Sequence, residues 1–567
     1  MKGGNFLRTV VFSVAFLLFL GATAPAPPAM AEETTLNIGM THRPGILNYF
    51  ASTDLWSRSI LRLIHMPLYV TSPEDGGLTS WLAAEPPEAE KNPNEVIIRL
   101  REAEWEDGAK VSAEDLAFTV KVIQEFGVPG LVERWRDVKE VEVLDPKTIR
   151  FRISPPAHDF FERAILSGFV QKAKWQEVVQ AARKSSNGLE TLLSHDPGQP
   201  MSNGPFCLST HGRPYFLVLK RNARFFASRQ AMGGVLRSPA LQGLMLHMYE
   251  DPEKMLEEFR KGRLEFLWSD LSPRHEEELA KIPEVAIYRT PRTGYDYLGF
   301  NLERKPYGDP AFREAISDLV DRQKMIQHLL EGHGMPVITV VPPQNTFWCN
   351  RRIQDDSAGL NPHERVLRAR SNLQAAGYRW EAGKLLLPDG TPMGPMQILT
   401  TGSGGASYRM KVAMALKKAL FKLGVTVHLV TMDLNELLAE LRRGDFDAYL
   451  IGWASLRNDP GYLRTFFHSS EARAGGKNYP RFCSPAFDRL ADAASQEPDR
   501  EKRRQIVYEM QALLARERPV IPLFVTKRVE ATRRDAFRGW VPLPGGIGNL
   551  WSFLNLEPVP QGQDGGR

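Results

Sequence analysis

The sequence contains only three cysteines, Cys207, Cys349 and Cys483, in 567 residues. They include no C-x-x-C spacing, so neither a redox motif nor a cysteine-based zinc site is indicated. Because the count is odd, at least one thiol must remain unpaired within the chain. If a disulfide forms, we expect it between Cys349 and Cys483.

Familiar catalytic signatures are also missing. The segment TGSGGAS around Ser403 lacks the glycine that a G-x-S-x-G nucleophile elbow needs two places before the serine. The segment that begins HEEE at His275 ends on Leu279 and fails the H-E-x-x-H pattern. No G-x-G-x-x-G or P-loop motif occurs, and the histidines lack metal-ligand spacing. The sequence therefore predicts no catalytic residues, metal or cofactor, although an enzyme of unmarked type stays open.

Excess charge of one sign is absent as well. The formal net charge is +5 over the whole chain, with basic blocks set beside Glu and Asp. Such blocks are typical of solvated helix faces. Nucleic acid is therefore not an expected partner.

One apolar run, Thr9–Leu20, follows Lys2 and Arg8 near the N-terminus and precedes an A-x-A pattern at Ala29–Ala31. A membrane anchor is the alternative, but a span needs roughly 20 apolar residues and three prolines close this run. We therefore predict a signal peptide over residues 1–31, cleaved after Ala31. The mature chain is expected to be exported and not to insert into the membrane.

Two kinds of secondary-structure pattern follow one another along the chain. Up to about residue 200 the segments are typical of an α+β region, in which Ser112 with Asp115 predicts a helix N-cap. From residue 296 strands alternate with helices, which predicts βαβ units and a largely parallel sheet. Ligands of such sheets bind beyond the carboxyl ends of the strands.

The segment DAYLIGWASLRNDPGYLRTFF, residues 447–467, lies at such an edge. The apolar run at 448–451 predicts a buried strand that breaks at Gly452 and presents Trp453 and several polar residues. We interpret this segment as a candidate binding edge.

Five segments in the same order resemble the signature blocks of extracellular solute-binding proteins of family 5, the peptide/nickel type. These segments are VIIRLREAEWEDGAKVSAEDLAFTVKVI, SNGPFCLSTHGRPYFLVLKRNARFF, YDYLGFNLERKPYGDPAFREAISDLVDRQKMI, GWASLRNDPGYLRTFF and CSPAFDRLADAA, spread over residues 96–494.

The resemblance implies a receptor for an ABC importer with an α/β fold of two lobes, the type II periplasmic-binding-protein fold of the large cluster. An extra α+β subdomain belongs to its first lobe. We place lobe I at 32–294 plus 528–567, the extra subdomain at 68–198, and lobe II at 295–527. Ligand is expected between the lobes, which close on it by a hinge motion. A monomer in the periplasm that docks on transmembrane permease subunits is expected.

The loop after Gly452 departs from the family pattern. In peptide-binding relatives an aspartate of this loop pairs with the ligand's α-ammonium, and the alignment places Leu456 at that position. A buried ammonium without a counter-charge would be costly, so a free-amine peptide is doubtful as ligand. Arg457 instead has the fork that suits carboxylate or phosphate, which favours an anionic or neutral group here. Alternatively, Arg457 points to solvent or pairs with Asp459, or Asp459 serves as the acid.

The other candidate ligand residues follow from position. Trp453 follows a strand end, and Ser455 lies in the same loop; Tyr295 and Tyr297 lie near the predicted lobe crossing. Lobe packing is the alternative for the tryptophan, and plain packing is the alternative for the tyrosines and for the asparagine of the FN block. The complete candidate set is Trp453, Ser455, Arg457, Asp459, Tyr295, Tyr297, Asn301, Thr41 and His42.

The ligand class stays open, since family members bind peptides, nickel complexes, opines or sugars. The sequence leaves two alternative functions open. The same fold can act as a solute sensor or chaperone, and a secreted hydrolase would require a clustered acid, base or nucleophile set.

Overall fold

The computed structural model describes residues 34–560 except 75, 86–93, 155–159, 161–163, 211–214, 229–237 and 403–407. The signal peptide predicted at 1–31 lies outside these residues.

The described residues form strands β1–β21 and helices α1–α15. The strands are β1 Thr35–Met40, β2 Tyr69–Thr71, β3 Leu78–Ser80, β4 Glu95–Arg99, β5 Val138–Asp145, β6 Thr148–Ile153, β7 Phe206–Thr210, β8 Phe216–Arg221, β9 Gly243–Met248, β10 Phe266–Leu267, β11 Val285–Pro291, β12 Asp296–Phe300, β13 Gly334–Pro336, β14 Arg379–Glu381, β15 Lys384–Leu386, β16 Met396–Thr401, β17 Val427–Met432, β18 Ala448–Gly452, β19 Val520–Arg533, β20 Phe537–Arg538 and β21 Glu557–Pro558. The helices are α1 Leu55–Ile64, α2 Ala113–Phe126, α3 Lys172–Lys184, α4 Gly188–Ser194, α5 Pro252–Arg260, α6 Pro273–Leu279, α7 Pro310–Leu319, α8 Arg322–Lys324, α9 Pro362–Ala375, α10 Tyr408–Lys422, α11 Leu434–Arg443, α12 Tyr462–Phe467, α13 Pro485–Gln496, α14 Arg500–Glu517 and α15 Leu550–Asn555.

One long strand, β19, joins two halves of a large mixed sheet. Its N-terminal part pairs with β12 and β13, and its C-terminal part pairs with β10 and β11. We call β1 and β7–β11 the first half of the sheet, and β12, β13 and β16–β18 the second half. Both halves are therefore tied to one continuous backbone.

The second half of the sheet is only partly parallel. Strand β16 pairs in parallel with β17 and β18, as the alternating pattern predicts. Strand β12 instead pairs antiparallel with both β18 and β19. The reason is that β12 carries the chain into this half and β19 carries it out again, so the two strands run in opposite directions.

A separate region has its own core. Strands β4, β6 and β5 form a small antiparallel sheet, and helix α2 packs on it. Ser112 and Asp115 form the capping box at the start of α2, so that predicted N-cap is confirmed. The aromatic side chains of Trp81, Trp105 and Trp135 are fully buried in the core of this region. The exact boundaries of the lobes and of the extra subdomain stay predictions.

The disulfide that was considered between Cys349 and Cys483 is not formed. All three cysteines are free thiols. Cys349 is buried beside the hydroxyl of Thr339, whose Oγ1 lies 3.9 Å from its Sγ, whereas Cys483 is exposed. The two thiols therefore lie in separate environments and do not form a bond.

Within the described part of the chain, none of the helices has the length and apolar character that crossing a bilayer requires.

Gly294 lies just before β12, where the chain crosses between the halves. A Cβ on this residue would lie 1.7 Å from the carbonyl oxygen of Trp453, so a side chain requires the backbone to move. We predict that Gly294→Ala lowers the free energy of unfolding by at least about 2 kcal/mol, because overpacking strains the crossing. Urea denaturation measures this change.

Gly394→Ala is the matched control, since a Cβ there meets nothing within 4 Å. It should leave stability nearly unchanged. Equal effects of the two substitutions would contradict the close approach at Gly294.

Candidate ligand-binding site

The loop between β18 and α12, residues 453–461, begins with an aromatic stack. Trp453 is half-buried and lies parallel to Phe466, with ring centroids 4.0 Å apart. The Trp453 ring also stacks on Tyr297, with ring centroids 5.9 Å apart. Its backbone N–H donates to the Tyr295 carbonyl at 3.0 Å, which fixes the start of the loop against β12. Trp453 thus has packing partners within the second half of the sheet.

Tyr295 and Tyr297 lie in the core. They are 2% and 3% exposed and pack on each other, with centroids 5.7 Å apart. Burial raises the pKa of both phenols well above the ordinary value, so both stay neutral. This placement favours the packing alternative over direct ligand contact.

Asn301 is also buried, and its side-chain amide forms hydrogen bonds with backbone groups. Its Nδ2 donates to the carbonyls of Gly444 at 3.0 Å and Phe446 at 3.1 Å. Its Oδ1 accepts from the N–H of Glu303 at 3.2 Å. These bonds hold the turn before β18, so the side chain has a structural role.

Thr41 and His42 lie at the carboxyl end of β1. Thr41 Oγ1 is 2.7 Å from the hydroxyl oxygen of Ser269, which follows β10. The exposed imidazole of His42 stacks on Trp56, with centroids 5.6 Å apart. The guanidinium carbon of Arg528 lies over the same Trp56 ring, 5.1 Å from its centroid. The structure thus brings an aromatic and polar surface together at this edge.

Asp459 lies in a buried ion pair. Its two carboxylate oxygens accept from the guanidinium of Arg503 at 2.6 and 2.7 Å. Desolvation opposes ionisation, but the charge and hydrogen bonds of Arg503 outweigh it and hold the pKa of Asp459 below its ordinary value. The carboxylate is therefore occupied within the protein and is poorly placed to bind a ligand ammonium.

Leu456, at the position where peptide-binding relatives are expected to carry aspartate, packs against the apolar core of the second half. Ser455 beside it is exposed. The charge of Arg457 lowers the pKa of Arg134 in the separate region described above, so the two guanidiniums lie near each other. The loop therefore presents a cation, with no carboxylate at position 456.

Sequence reasoning missed three arginines, of which one, Arg134, feels the charge of Arg457 and of the other two. We call Arg58, Arg62, Arg134 and Arg457 the arginine cluster. Arg58 and Arg62 lie one turn apart on α1, and Arg134 ends the 3-10 turn Val132–Arg134. The spacing of the helical pair is visible in the sequence, but basic residues one turn apart are also typical of a solvated helix face.

A metal site receives no support from geometry. Within the described residues, no three His, Cys, Asp or Glu side chains gather closely enough to hold an ion.

The mixed sheet in two halves joined by β19, with its separate α+β region, is the fold of the periplasmic-binding-protein class. The model for bacterial extracellular solute-binding proteins of family 5 matches residues 77–474. The chain belongs to this family.

Sequence and structural similarity to known relatives extends over most of the chain. The peptide transport periplasmic protein SapA of Salmonella typhimurium is 24% identical over 72% of this chain and 68% of its own. The oligopeptide-binding protein OppA of Bacillus subtilis is 22% identical over 91% of this chain and 92% of its own. The solved structure of AppA from Bacillus subtilis with a nonapeptide covers 93% of this chain and 99% of its own, with a TM-score of 0.69 at 20% identity.

These matches confirm three predictions: the family, the α/β periplasmic-binding-protein fold, and a non-enzymatic solute-binding component of an ABC importer. Proteins of this family are extracellular.

Removing the carboxylate of Asp459 should lower the free energy of unfolding. Asp459→Asn leaves the guanidinium of Arg503 buried without a counter-charge, and we predict a loss of about 3 kcal/mol of unfolding free energy at pH 7. Because the folded-state pKa of Asp459 is depressed, its contribution is present above the unfolded pKa of about 4 and is lost as the pH falls through the folded-state pKa. The variant should therefore lose less stability than the wild type on acidification.

Asp445→Asn is the control, because Asp445 pairs with Arg304 at the surface, at 2.8 Å. Denaturant unfolding at several pH values compares the variants. A loss for Asp459→Asn no greater than for Asp445→Asn would contradict the buried pair.

Proposed function

We propose that the protein captures a peptide-like solute in the periplasm between two closing lobes and, as a monomer, delivers it to the permease subunits of an ABC importer. The relatives named above are a peptide transport protein and oligopeptide-binding proteins, which supports a peptide-like solute. The two backbone crossings, at 291–296 and within β19, support a hinge between the halves.

The proposal depends mainly on one contact, which Asn458 makes with Gly76. Asn458 Nδ2 donates to the carbonyl of Gly76 at 2.7 Å, in the turn between β2 and β3. The carbonyl of Asn458 accepts from Asn345 Nδ2 at 2.5 Å, which holds it to the second half of the sheet. Asn458 therefore links predicted lobe II to the predicted extra subdomain of lobe I, across the space where ligand is expected. We infer that this bond helps to hold the closed form.

Asn458→Ala should favour the open form. One lost hydrogen bond, worth about 1 kcal/mol, shifts the closed-to-open ratio about fivefold. Small-angle X-ray scattering should then show a larger radius of gyration for the variant than for the wild type, both purified with their native solute. Removing the solute by denaturation and refolding should expand the wild type towards the same value.

Asn435→Ala, on the exposed first turn of α11, is the matched control and should scatter like the wild type. Scattering that is unchanged both by Asn458→Ala and by solute removal would overturn capture by closure.

A further inference from the structure

We propose that one face of helix α10 adsorbs to the surface of an anionic phospholipid bilayer. The exposed residues of this helix form that face, which we call the α10 face: Lys411, Met414, Lys417, Lys418, Phe421 and Lys422. The inference goes beyond the proposed function, because it concerns an outer surface of predicted lobe II and holds for any solute that the cleft binds.

The α10 face has an apolar centre. Phe421 is 75% exposed and Met414 is 52% exposed, and no large hydrophobic residue in the described part of the chain is more exposed than Phe421. The two are seven residues apart, about two helical turns, so they lie one above the other on the same side of the helix. The opposite side packs Leu416 and Leu420 in the core of the second half. The exposed pair is therefore additional to the residues that attach α10 to the sheet.

Lysines flank this apolar pair on both sides. At 3.6 residues per turn, Lys417 lies on one side of the pair, and Lys411, Lys418 and Lys422 lie on the other. Helix α10 contains no Asp or Glu, and no carboxylate among the described residues forms an ion pair with any of the four lysines. Helix α5, by contrast, pairs its C-terminal bases with glutamates. The α10 face thus has positive charge that needs a counter-charge from outside the protein.

The α10 face points away from the predicted cleft. In the first turn of α10, Arg409 Nε donates to Asp296 Oδ1 at 2.6 Å, and Asp296 lies opposite Gly452 at the end of β18. The helix therefore begins beside the β18–α12 loop. It ends at Lys422, after which the chain enters β17, whose first residue pairs with the first residue of β16. Phe421 consequently lies near the opposite edge of the sheet, and adsorption there leaves the cleft accessible.

The composition of the α10 face favours a lipid surface over a protein partner. Protein interfaces are enriched in arginine and depleted in lysine, whereas all the exposed cations of α10 are lysines. At a bilayer surface, aromatic and aliphatic side chains enter the boundary between headgroups and acyl chains. The lysine stems lie along the apolar boundary while their ammonium groups reach the phosphates. An anionic bilayer therefore satisfies both the apolar and the charged part of the face.

Vesicles with about three parts phosphatidylcholine to one part phosphatidylglycerol are the probe, and vesicles of phosphatidylcholine alone are the uncharged reference. The full-length mature protein is sedimented with each kind of vesicle at low ionic strength. We expect the wild type to bind the anionic vesicles at least about tenfold more strongly than the neutral ones. Sodium chloride at about 1 M should release it, because the Debye length then falls to about 3 Å.

Two variants test the two parts of the α10 face. Phe421→Ser removes the apolar anchor, and Lys417→Gln combined with Lys418→Gln removes two charges. Each variant should bind the anionic vesicles about tenfold more weakly than the wild type, or weaker still. All three side chains are exposed, so the Tm of each variant should stay near that of the wild type.

Matched controls change the same kinds of residue elsewhere. Leu367→Ser removes a side chain of α9 that is 53% exposed. Lys254→Gln combined with Lys261→Gln removes two exposed charges on α5 and at its C-terminal end. Both controls should bind the anionic vesicles like the wild type. Equal losses in the controls and in the α10 variants would overturn the inference, since net charge or general hydrophobicity would then explain the binding.

Equal binding of the wild type to anionic and neutral vesicles overturns the inference as well. Binding to neither kind of vesicle, together with slower solute uptake in cells that carry Phe421→Ser, would assign the α10 face to a protein partner instead. Closure on the native solute is measured separately by scattering. Normal closure without vesicle binding leaves the proposed function standing and removes only the membrane contact.

Discussion

The continuity of strand β19 is the constraint from which the arrangement of the cleft follows. Because one strand of 14 residues pairs with β12 at one end and β11 at the other, the two halves of the sheet share a backbone that cannot separate. Motion between them is then limited to bending at the crossings. The loop after β18 starts directly beside β12, and its Asn458 side chain reaches the turn between β2 and β3.

Charge is distributed unevenly around that loop. Asp459 and Arg503 neutralise each other in the interior, which lets the loop turn back into the core without an uncompensated charge. Arg457, two residues earlier, lies near Arg134 and the α1 arginines. The Asp459 side of the loop is thus electrically balanced within the protein.

Local features of the fold were predictable because their causes are local. The capping box of Ser112 and Asp115 needs only four residues, and the break of β18 at Gly452 is visible in one segment. Tyr297 and the adjacent Tyr295 were ambiguous because all residues of β12 are buried, so the strand has no exposed face to indicate its orientation. Whether two of the three cysteines pair could not be decided from the sequence, because spacing along the chain does not report separation in space.

Only part of the candidate site could be predicted from the sequence. Arg457 was found because a family pattern showed what its loop should contain, whereas Arg58, Arg62 and Arg134 carry no motif. Their charges act on one another only because the tertiary structure brings α1 and the β18–α12 loop towards the turn that ends at Arg134.

The most direct measurement is mass spectrometry of the small molecules that the protein releases on denaturation, after mild purification from its own periplasm. The account predicts one defined peptide-like solute, close to one per protein, without a free α-ammonium group, because Leu456 packs in the core and Asp459 is bound to Arg503. A ladder of neutral or cationic free-amine peptides would contradict it. That result would mean that an acid other than Asp459 binds the ligand ammonium.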